Sequence, residues 1–264
     1  MKLMTEKILA DVEGGIGWLT FNQPEKRNAM SMEMWQGVAD AFEAFQADPQ
    51  VRVVVMRGAG GKAFVSGADI SEFDANRANA EQKANYNAVT ARGKQWLAQI
   101  EKPLVAMIEG FCIGGGLAVA LNADVRIATE SSKFGIPAAK LGLGYDFAGL
   151  ATLARLVGPS VARDILFSAR FLPAEEALRV GLINRVVPDS DLESEVRAYC
   201  ALIAQNAPLT IRAAKAAMRE WERDPSDRDL AHVDALVNAC FDSVDYAEGR
   251  KAFAGKRPPR FVGR

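Results

Sequence analysis

The residues of this sequence with the clearest capacity for chemistry are backbone groups in two glycine-containing segments. Gly114, Gly115 and Gly116 follow an apolar run and precede the apolar residues 117–121, so they predict a tight turn into a helix. The N–H groups that open a helix attract developing negative charge. Gly67-Ala68, after a strand-like stretch, would supply a second donor. Two such donors together predict a site that stabilises an oxyanion.

Periodicity predicts the elements that must hold these segments. Residues 8–13 and 16–22 flank Gly14-Gly15 and indicate a β-hairpin. Ser31 is the predicted N-cap of a helix from Met32 to about Asp48, and residues 80–100 predict a second, more polar helix. Strands are predicted at 51–57, 104–108 and 124–128. Strands that alternate with helices indicate an α/β fold.

The last third of the sequence changes character. From Pro159 onward the pattern is helix after helix, and only residues 183–187 read as extended. We therefore predict a core over residues 1–195 that carries the glycine-containing loops, and a helical C-terminal region over residues 196–264.

Composition excludes several classes of protein. Hydrophobic residues make up 49% and charged residues 25% of the 264 residues, which disfavours a disordered chain. The net charge of −1 does not indicate a protein that binds nucleic acid. Cys112, Cys200 and Cys240 are too few and too scattered for a disulfide framework or a zinc site, so we expect no metal and a reducing, cytoplasmic setting. No stretch has the pattern of an export signal or a membrane span.

Several motifs resemble those of the crotonase superfamily, the enoyl-CoA hydratase/isomerase family, and they occur in that family's order. They are residues 22–30, 63–69, 110–116, 134–137 and 174–182. The resemblance implies a spiral ββα core, a C-terminal helical region that packs trimers, and a homotrimer or dimer of trimers. It also implies an acyl-CoA substrate whose enolate is held by the Ala68 and Gly115 N–H groups.

The resemblance extends to the coenzyme A moiety of the substrate. It implies that the loop around Ala63 and Ser66, with Ala29 and Ala68, receives the adenine end, and that Lys26 and Arg27 meet the phosphates. Lys256, in a basic tail with Arg257, Arg260 and Arg264, is a further candidate, although such a tail is equally typical of a solvated terminus. No cofactor beyond this coenzyme A moiety is expected.

Two expected acids are missing. Hydratases of the family carry one glutamate two residues after the glycine triplet and another directly after Phe-Gly-X-Pro, where this sequence has Ala118 and Ala138. Hydration needs a base for water and an acid for the α-carbon, and each such group contributes roughly 10²–10⁴-fold. The sequence thus keeps the predicted oxyanion donors without the usual acid–base pair.

Tyr145 and Asp146 are the candidates to replace that pair. Residues 141–146 resemble the corresponding stretch of methylmalonyl-CoA decarboxylase, a relative with a tyrosine at that place, although that enzyme has histidine where this sequence has Ala68. Tyr145 could equally be a packing residue, and Asp146 the N-cap of a following helix. Decarboxylation needs no base to form an enolate, so it is the main alternative to hydration, ahead of isomerisation.

Other candidates have structural interpretations. Glu109 could face the site, but strand-end carboxylates are usually solvated. His232 and Cys112 are expected to be structural. Asp69 and Asp124 are expected to bind backbone or neighbouring side chains. The missing glutamates also leave open a pseudoenzyme that binds acyl-CoA without turnover.

Overall fold

The computed structural model describes residues 1, 3–69, 71 and 80–264. Its larger sheet has the strand order β1-β2-β3-β5-β7-β10. The strands are β1 (Ile8–Glu13), β2 (Ile16–Phe21), β3 (Val53–Gly58), β5 (Leu104–Ile108), β7 (Val125–Thr129) and β10 (Arg185–Val187). β1 pairs with β2 as an antiparallel hairpin, and every later pairing in this sheet is parallel. Parallel neighbours require crossovers, which the helices supply.

A smaller sheet of short strands lies in the order β4-β6-β8-β9. These strands are β4 (Ala63–Val65), β6 (Phe111–Ile113), β8 (Lys133–Gly135) and β9 (Leu172–Pro173). β4, β6 and β8 are parallel, and β9 is antiparallel to β8. Each of β4, β6 and β8 follows a strand of the larger sheet in the chain, so each ββ pair carries the chain from one sheet to the other.

The described helices connect and flank these strands. They are α1 (Met32–Ala47), α2 (Ala80–Gln99), α3 (Gly115–Ala120), α4 (Phe147–Ser168), α5 (Ala174–Arg179), α6 (Leu192–Ala204), α7 (Pro208–Trp221), α8 (Leu230–Phe241) and α9 (Val244–Ala254). α1 begins as predicted, because Ser31 Oγ accepts the Met34 N–H at 3.2 Å. α4 is interrupted at Gly158, which has a φ of 77° and is followed by Pro159. No helix in the described part of the chain is long and apolar enough to cross a bilayer.

The inner strands of the larger sheet, such as β2, are buried on both faces. Leu19 and Phe21 pack with α1 and the smaller sheet, whereas Ile16 and Trp18 of the same strand pack towards α6. A strand buried on both sides needs apolar residues at successive positions, which explains the continuous run in β2. The core therefore has the smaller sheet and the first two helices on one side and α6 on the other.

The structure confirms the mixed α/β organisation and the hairpin. The predicted strands at 51–57 and 124–128 are displaced along the chain by one or two residues, to β3 and β7. The smaller sheet was not predicted, because strands of three residues are too short to show a period. The predicted division after residue 195 falls inside α6, and the division itself stays a prediction.

Candidate active site

The two predicted N–H donors are brought together by the pairing of β4 with β6. Val65 pairs with Cys112, and Ala68 and Gly115 each follow three residues later. The Met30 N–H donates to Gly67 O at 2.8 Å, and the Asp69 N–H donates to Met30 O at 2.9 Å. In this parallel bridge the N–H of Ala68 therefore points away from Met30.

Ala68 and Gly115 lie next to one another. A Cβ built on Gly115 would lie 3.5 Å from the Ala68 nitrogen. The Ala118 N–H donates to Gly114 O at 3.1 Å, so the Gly115 N–H precedes the first hydrogen bond of α3. The geometry gives two backbone donors beside one space, which is the arrangement that an oxyanion requires.

Two positions of the triplet require glycine, each for a different structural reason. Gly114 has a φ of 56°, which an L side chain rarely adopts. A Cβ on Gly116 would lie 1.9 Å from Val65 O, so α3 can approach β4 only if this residue has no side chain. The first glycine thus turns the chain, and the third lets the helix N-terminus reach the site.

A cavity of about 620 Å³ lies in front of these donors. Its walls include Ala68, Gly115, Tyr145 and Asp146, so the four predicted catalytic residues share one space. Ala118 and Ala138 also line it. Both positions at which hydratases of the family carry a glutamate therefore belong to the cavity wall.

Polar groups reach the same space from the segment 144–146. The Tyr145 hydroxyl oxygen lies 3.6 Å from where a Cβ of Gly114 would be, next to the turn that precedes the Gly115 donor. Asp146 occupies the N-cap position of α4, with an extended ψ of 150°, but its side chain makes no cap hydrogen bond to this helix. Among the described residues that line the cavity, Asp146 is the only carboxylate. It can both begin α4 and face the cavity.

Most of the residues predicted to bind coenzyme A lie beside the Ala68 loop. The Ser66 N–H donates to Arg27 O at 3.1 Å, and Ser66 lines the cavity. The Arg27 guanidinium lies over the Phe111 ring, 5.4 Å from its centroid. Ala29 and Ala63 are buried beneath this loop. Their contact with coenzyme A stays a prediction.

Lys26 already has a partner in this structure. Its ammonium donates to Asp69 Oδ2 at 2.7 Å and to Ser71 Oγ at 3.0 Å. Burial alone would raise the pKa of Asp69, but the hydrogen bonds from Lys26 and Ser71 outweigh it and lower that pKa to about 2. A phosphate at Lys26 would compete with this ion pair. The pair joins the residue next to the Ala68 donor to the loop at residues 24–26.

Asp124 also has the structural contacts that were expected. Its carboxylate accepts the Leu104 N–H and the Lys215 ammonium, each at 2.7 Å. Cys112 is fully buried, and burial raises the pKa of its thiol, which makes it inert.

The remaining candidates lie away from the cavity. Burial raises the pKa of Glu109, but Glu109 does not line the cavity. His232 is exposed on α8. Lys256 follows α9 with a φ of 49° and does not line the cavity either. Across the described residues, no three His, Cys, Asp or Glu side chains gather as a metal site would require.

Sequence reasoning did not show which residues of α1 and α2 face the cavity. Trp35, Tyr86, Asn87 and Lys94 line the cavity on this side. The Lys94 ammonium lies 5.8 Å from the Trp35 ring centroid and 5.4 Å from that of Tyr86. The sequence predicted both helices, but the low amphipathicity of α2 left no signal for which residues face the cavity.

Comparisons with known proteins show the family of this chain. The family model described as Enoyl-CoA hydratase/isomerase matches residues 11–264. The crotonyl-CoA hydratase of Syntrophomonas wolfei is 34% identical over 259 residues, which cover 98% of this chain and 99% of the relative. The short-chain-enoyl-CoA hydratase of Clostridium acetobutylicum is 32% identical over 250 residues, 95% of each chain.

A solved structure gives the same result for the fold. An enoyl-CoA hydratase/carnithine racemase from Magnetospirillum magneticum superposes with a TM-score of 0.92 at 40% identity, covering 98% of this chain and 97% of that one. The crotonase-like fold expected from the motifs is thereby confirmed. From residue 11 to residue 264, this chain belongs to the enoyl-CoA hydratase/isomerase family of the crotonase superfamily.

Proposed function

We propose that this chain binds an acyl-CoA thioester with its carbonyl oxygen between the N–H groups of Ala68 and Gly115, and stabilises the enolate that forms there. The observation that supports the proposal is the register of β4 and β6, together with the presence of both Ala68 and Gly115 in the lining of the 620 Å³ cavity. The names of two relatives, a crotonyl-CoA hydratase and a short-chain-enoyl-CoA hydratase, support this substrate class.

For the reaction, we assign the acid–base work to Tyr145 and Asp146. In hydration, the water oxygen bonds to the β-carbon, its proton passes to the Asp146 carboxylate, and the electrons of the double bond move to the thioester oxygen. The α-carbon then takes a proton, which returns from Asp146. Tyr145 orients the water. The support for this assignment is that both side chains line the cavity that holds the donors.

Decarboxylation is a second candidate, and the methyl groups of Ala118 and Ala138 favour it. In that reaction the bond between the α-carbon and a substrate carboxylate breaks, carbon dioxide leaves, and the electron pair moves into the thioester carbonyl. No protein base is needed to form the enolate, and only afterwards does the α-carbon take a proton, which comes from solvent water. The same two alanines motivate a third outcome, binding without turnover.

The first test is turnover of a small panel of thioesters. Crotonyl-CoA and longer enoyl-CoA esters are compared with malonyl-type esters, with the products identified by mass. We expect hydration of at least one enoyl ester. Release of carbon dioxide alone would establish the decarboxylase, and binding of saturated acyl-CoA with no turnover would establish the pseudoenzyme.

Variants then test the assignment of roles. Asp146→Asn should lower hydration by about 10²-fold, and Tyr145→Phe by a smaller factor, with the affinity for a saturated acyl-CoA unchanged. Asp234→Asn, on an exposed position of α8, is the matched control and should have no effect. Full activity of both site variants would overturn the assignment and leave the oxyanion donors to be tested separately.

A further inference from the structure

Three cations on one face of α7 contact the end of α2 and the connection that leads to β5. They are Arg212, Lys215 and Arg219. The Arg219 guanidinium donates to Gln99 O at 3.2 Å and to Ile100 O at 2.6 Å. The last carbonyl groups of a helix have no partner within it, so Arg219 caps α2 from outside. Arg212 adds a bond to the Glu101 carboxylate at 3.0 Å.

Lys215 joins this end of α2 to the segment that follows α3. Its ammonium donates to Lys102 O and to the Asp124 carboxylate, each at 2.7 Å. The same carboxylate accepts the Leu104 N–H, so Asp124 is held on two sides. The Lys215 side chain is only 8% exposed. One largely buried cation therefore bridges two segments that are distant in the chain.

Both of these segments continue into the cavity wall. Leu97 lines the cavity from the last turn of α2, and Leu121 lines it directly after α3. Both side chains are buried, whereas the described lining residues between 137 and 152 are all at least partly exposed. Leu121 follows Gly115 by six residues, which at 1.5 Å per residue places it about 9 Å from the proposed donor. The buried apolar part of the wall therefore extends away from the donors along α3.

We propose that Lys215 and Arg219 are positioning residues that fix this apolar wall for the far part of the acyl group, and that the substrates are thioesters with chains of about eight carbons. An extended chain advances about 3.5 Å in three bonds. A four-carbon acyl group thus ends about 3.5 Å from the thioester carbon, and an eight-carbon group about 8 Å from it. Only the longer group reaches Leu121. This inference rests on the proposed function, since it requires the thioester to bind beside Gly115.

The bonds from α7 matter because Leu97 and Leu121 both lie at the ends of helices. Helix ends fray where their carbonyl groups lack partners. A methylene group gains roughly fourfold in affinity when it is buried, and this gain requires side chains that stay in contact with it. Loss of the Lys215 or Arg219 bonds should therefore weaken binding of the far methylene groups and leave binding of the thioester unchanged.

The experiment compares two saturated esters, which cannot turn over by hydration. Butyryl-CoA and octanoyl-CoA are titrated calorimetrically, the latter below the concentration at which it forms micelles. We expect the parent protein to bind octanoyl-CoA at least about tenfold more tightly than butyryl-CoA. Lys215→Met and Arg219→Met should each reduce this preference by about fivefold or more, with the affinity for butyryl-CoA unchanged. Arg219→Lys, which can still donate to the carbonyl groups, should keep most of the preference.

Arg223→Met is the matched control. This exposed cation lies two residues after α7 and bonds to Glu220 and to Asp227 O, and it does not line the cavity. It should bind both esters as the parent does. If the buried Lys215 position does not tolerate methionine, the two Arg219 variants carry the test, because they leave the bond between Lys215 and Asp124 in place.

The outcomes separate this inference from the proposed function. Equal binding of the two esters by the parent protein would overturn the inference alone, since the thioester would still bind. An unchanged preference in the folded methionine variants would also overturn it. So would an equal loss of affinity for both esters, which is what a general loss of stability produces. If the parent binds neither ester, the proposed function fails and the inference fails with it.

Discussion

At the scale of single residues, the site has two backbone N–H groups, those of Ala68 and Gly115. It lacks the two glutamates that hydratases of the family carry. The proposed roles of Ala68 and Gly115 use backbone N–H groups rather than side chains, whereas Ala118 and Ala138 have only methyl side chains. The donors depend on the path of the chain, and the acids depend on residue type. The two halves of the chemistry can therefore be altered independently.

The glycine triplet allows the donors to be tested without unfolding the protein. Gly115→Ala places a methyl group 3.5 Å from the Ala68 nitrogen, an ordinary contact, but in the space proposed for the oxyanion. We expect a folded protein, with stability changed by no more than about 1 kcal/mol. Turnover should fall by about 10²-fold or more. Chemical denaturation and steady-state kinetics measure the two effects.

Gly116→Ala is the contrasting variant, because its Cβ would lie 1.9 Å from Val65 O. Here α3 has to move, and we expect a loss of stability of about 3 kcal/mol together with the loss of activity. If Gly115→Ala retained full turnover in a folded protein, the donors would not face the reacting oxygen.

The two alanines provide a gain-of-function test. Ala118→Glu and Ala138→Glu, combined, would place two carboxyl groups in the cavity. We expect the double variant to hydrate crotonyl-CoA faster than the parent by at least about 10²-fold, since each acid–base group contributes roughly 10²–10⁴-fold. Ala139→Glu, at an exposed neighbour that does not line the cavity, is the control. A folded double variant with unchanged hydration would show that these positions do not reach the reacting atoms.

At the scale of elements, the Lys26–Asp69 ion pair holds the donor loop to the segment before α1. The pKa of Asp69 is about 2 when folded, below its ordinary 3.8, so the folded state binds fewer protons between these values. The stabilisation is fully present above pH 4 and disappears as the pH falls towards 2. It amounts to about 2 kcal/mol at neutral pH.

Asp69→Asn should therefore destabilise the protein at pH 7 and have a much smaller effect at pH 2.5. Urea denaturation at both pH values measures the difference in the free energy of unfolding between the variant and the parent. Other effects of acid act on both proteins and cancel in this difference. Asp234→Asn, which is exposed on α8, serves as the control. A difference that stays constant with pH would show that the charge of Asp69 does not stabilise the loop.

The elements also show what the sequence could and could not predict. Long periodic segments such as α1 and the β1–β2 hairpin were predicted almost to the residue, because packing on one side imposes a period. The strands β4, β6 and β8 were missed, although their neighbouring motifs were recognised. Their pairing depends on contacts between segments that are distant in the chain, and a local sequence pattern does not reveal such contacts. For the same reason Lys94 escaped notice until α2 was placed against α1.

At the scale of the whole molecule, the C-terminal helices carry apolar side chains that the single chain leaves in solvent. Phe253 is 89% exposed and Trp221 69%, with Met218, Leu230 and Phe241 also exposed. Surfaces of this kind typically mark an interface. We predict a trimer or a dimer of trimers, measurable as three or six chain masses by sedimentation.

Phe253→Asp combined with Trp221→Asp should shift the mass to smaller species, because both positions lie on the proposed interface. Leu9→Asp, on the exposed face of the edge strand β1, should leave the mass unchanged. A parent protein that sediments as one chain would contradict the prediction.

The register of β4 on β6 also determines where the chain can change in length. Ala68 and Gly115 each follow a paired residue by three positions, so one residue inserted after Val65 or after Cys112 would turn a donor to the opposite side. The part of the connection that contains α2 has no such restriction, because it ends before β5 and its length alters no strand pairing. This fold can therefore lengthen or exchange the segment that carries Tyr86, Asn87 and Lys94 into the cavity wall while Ala68 and Gly115 stay in place.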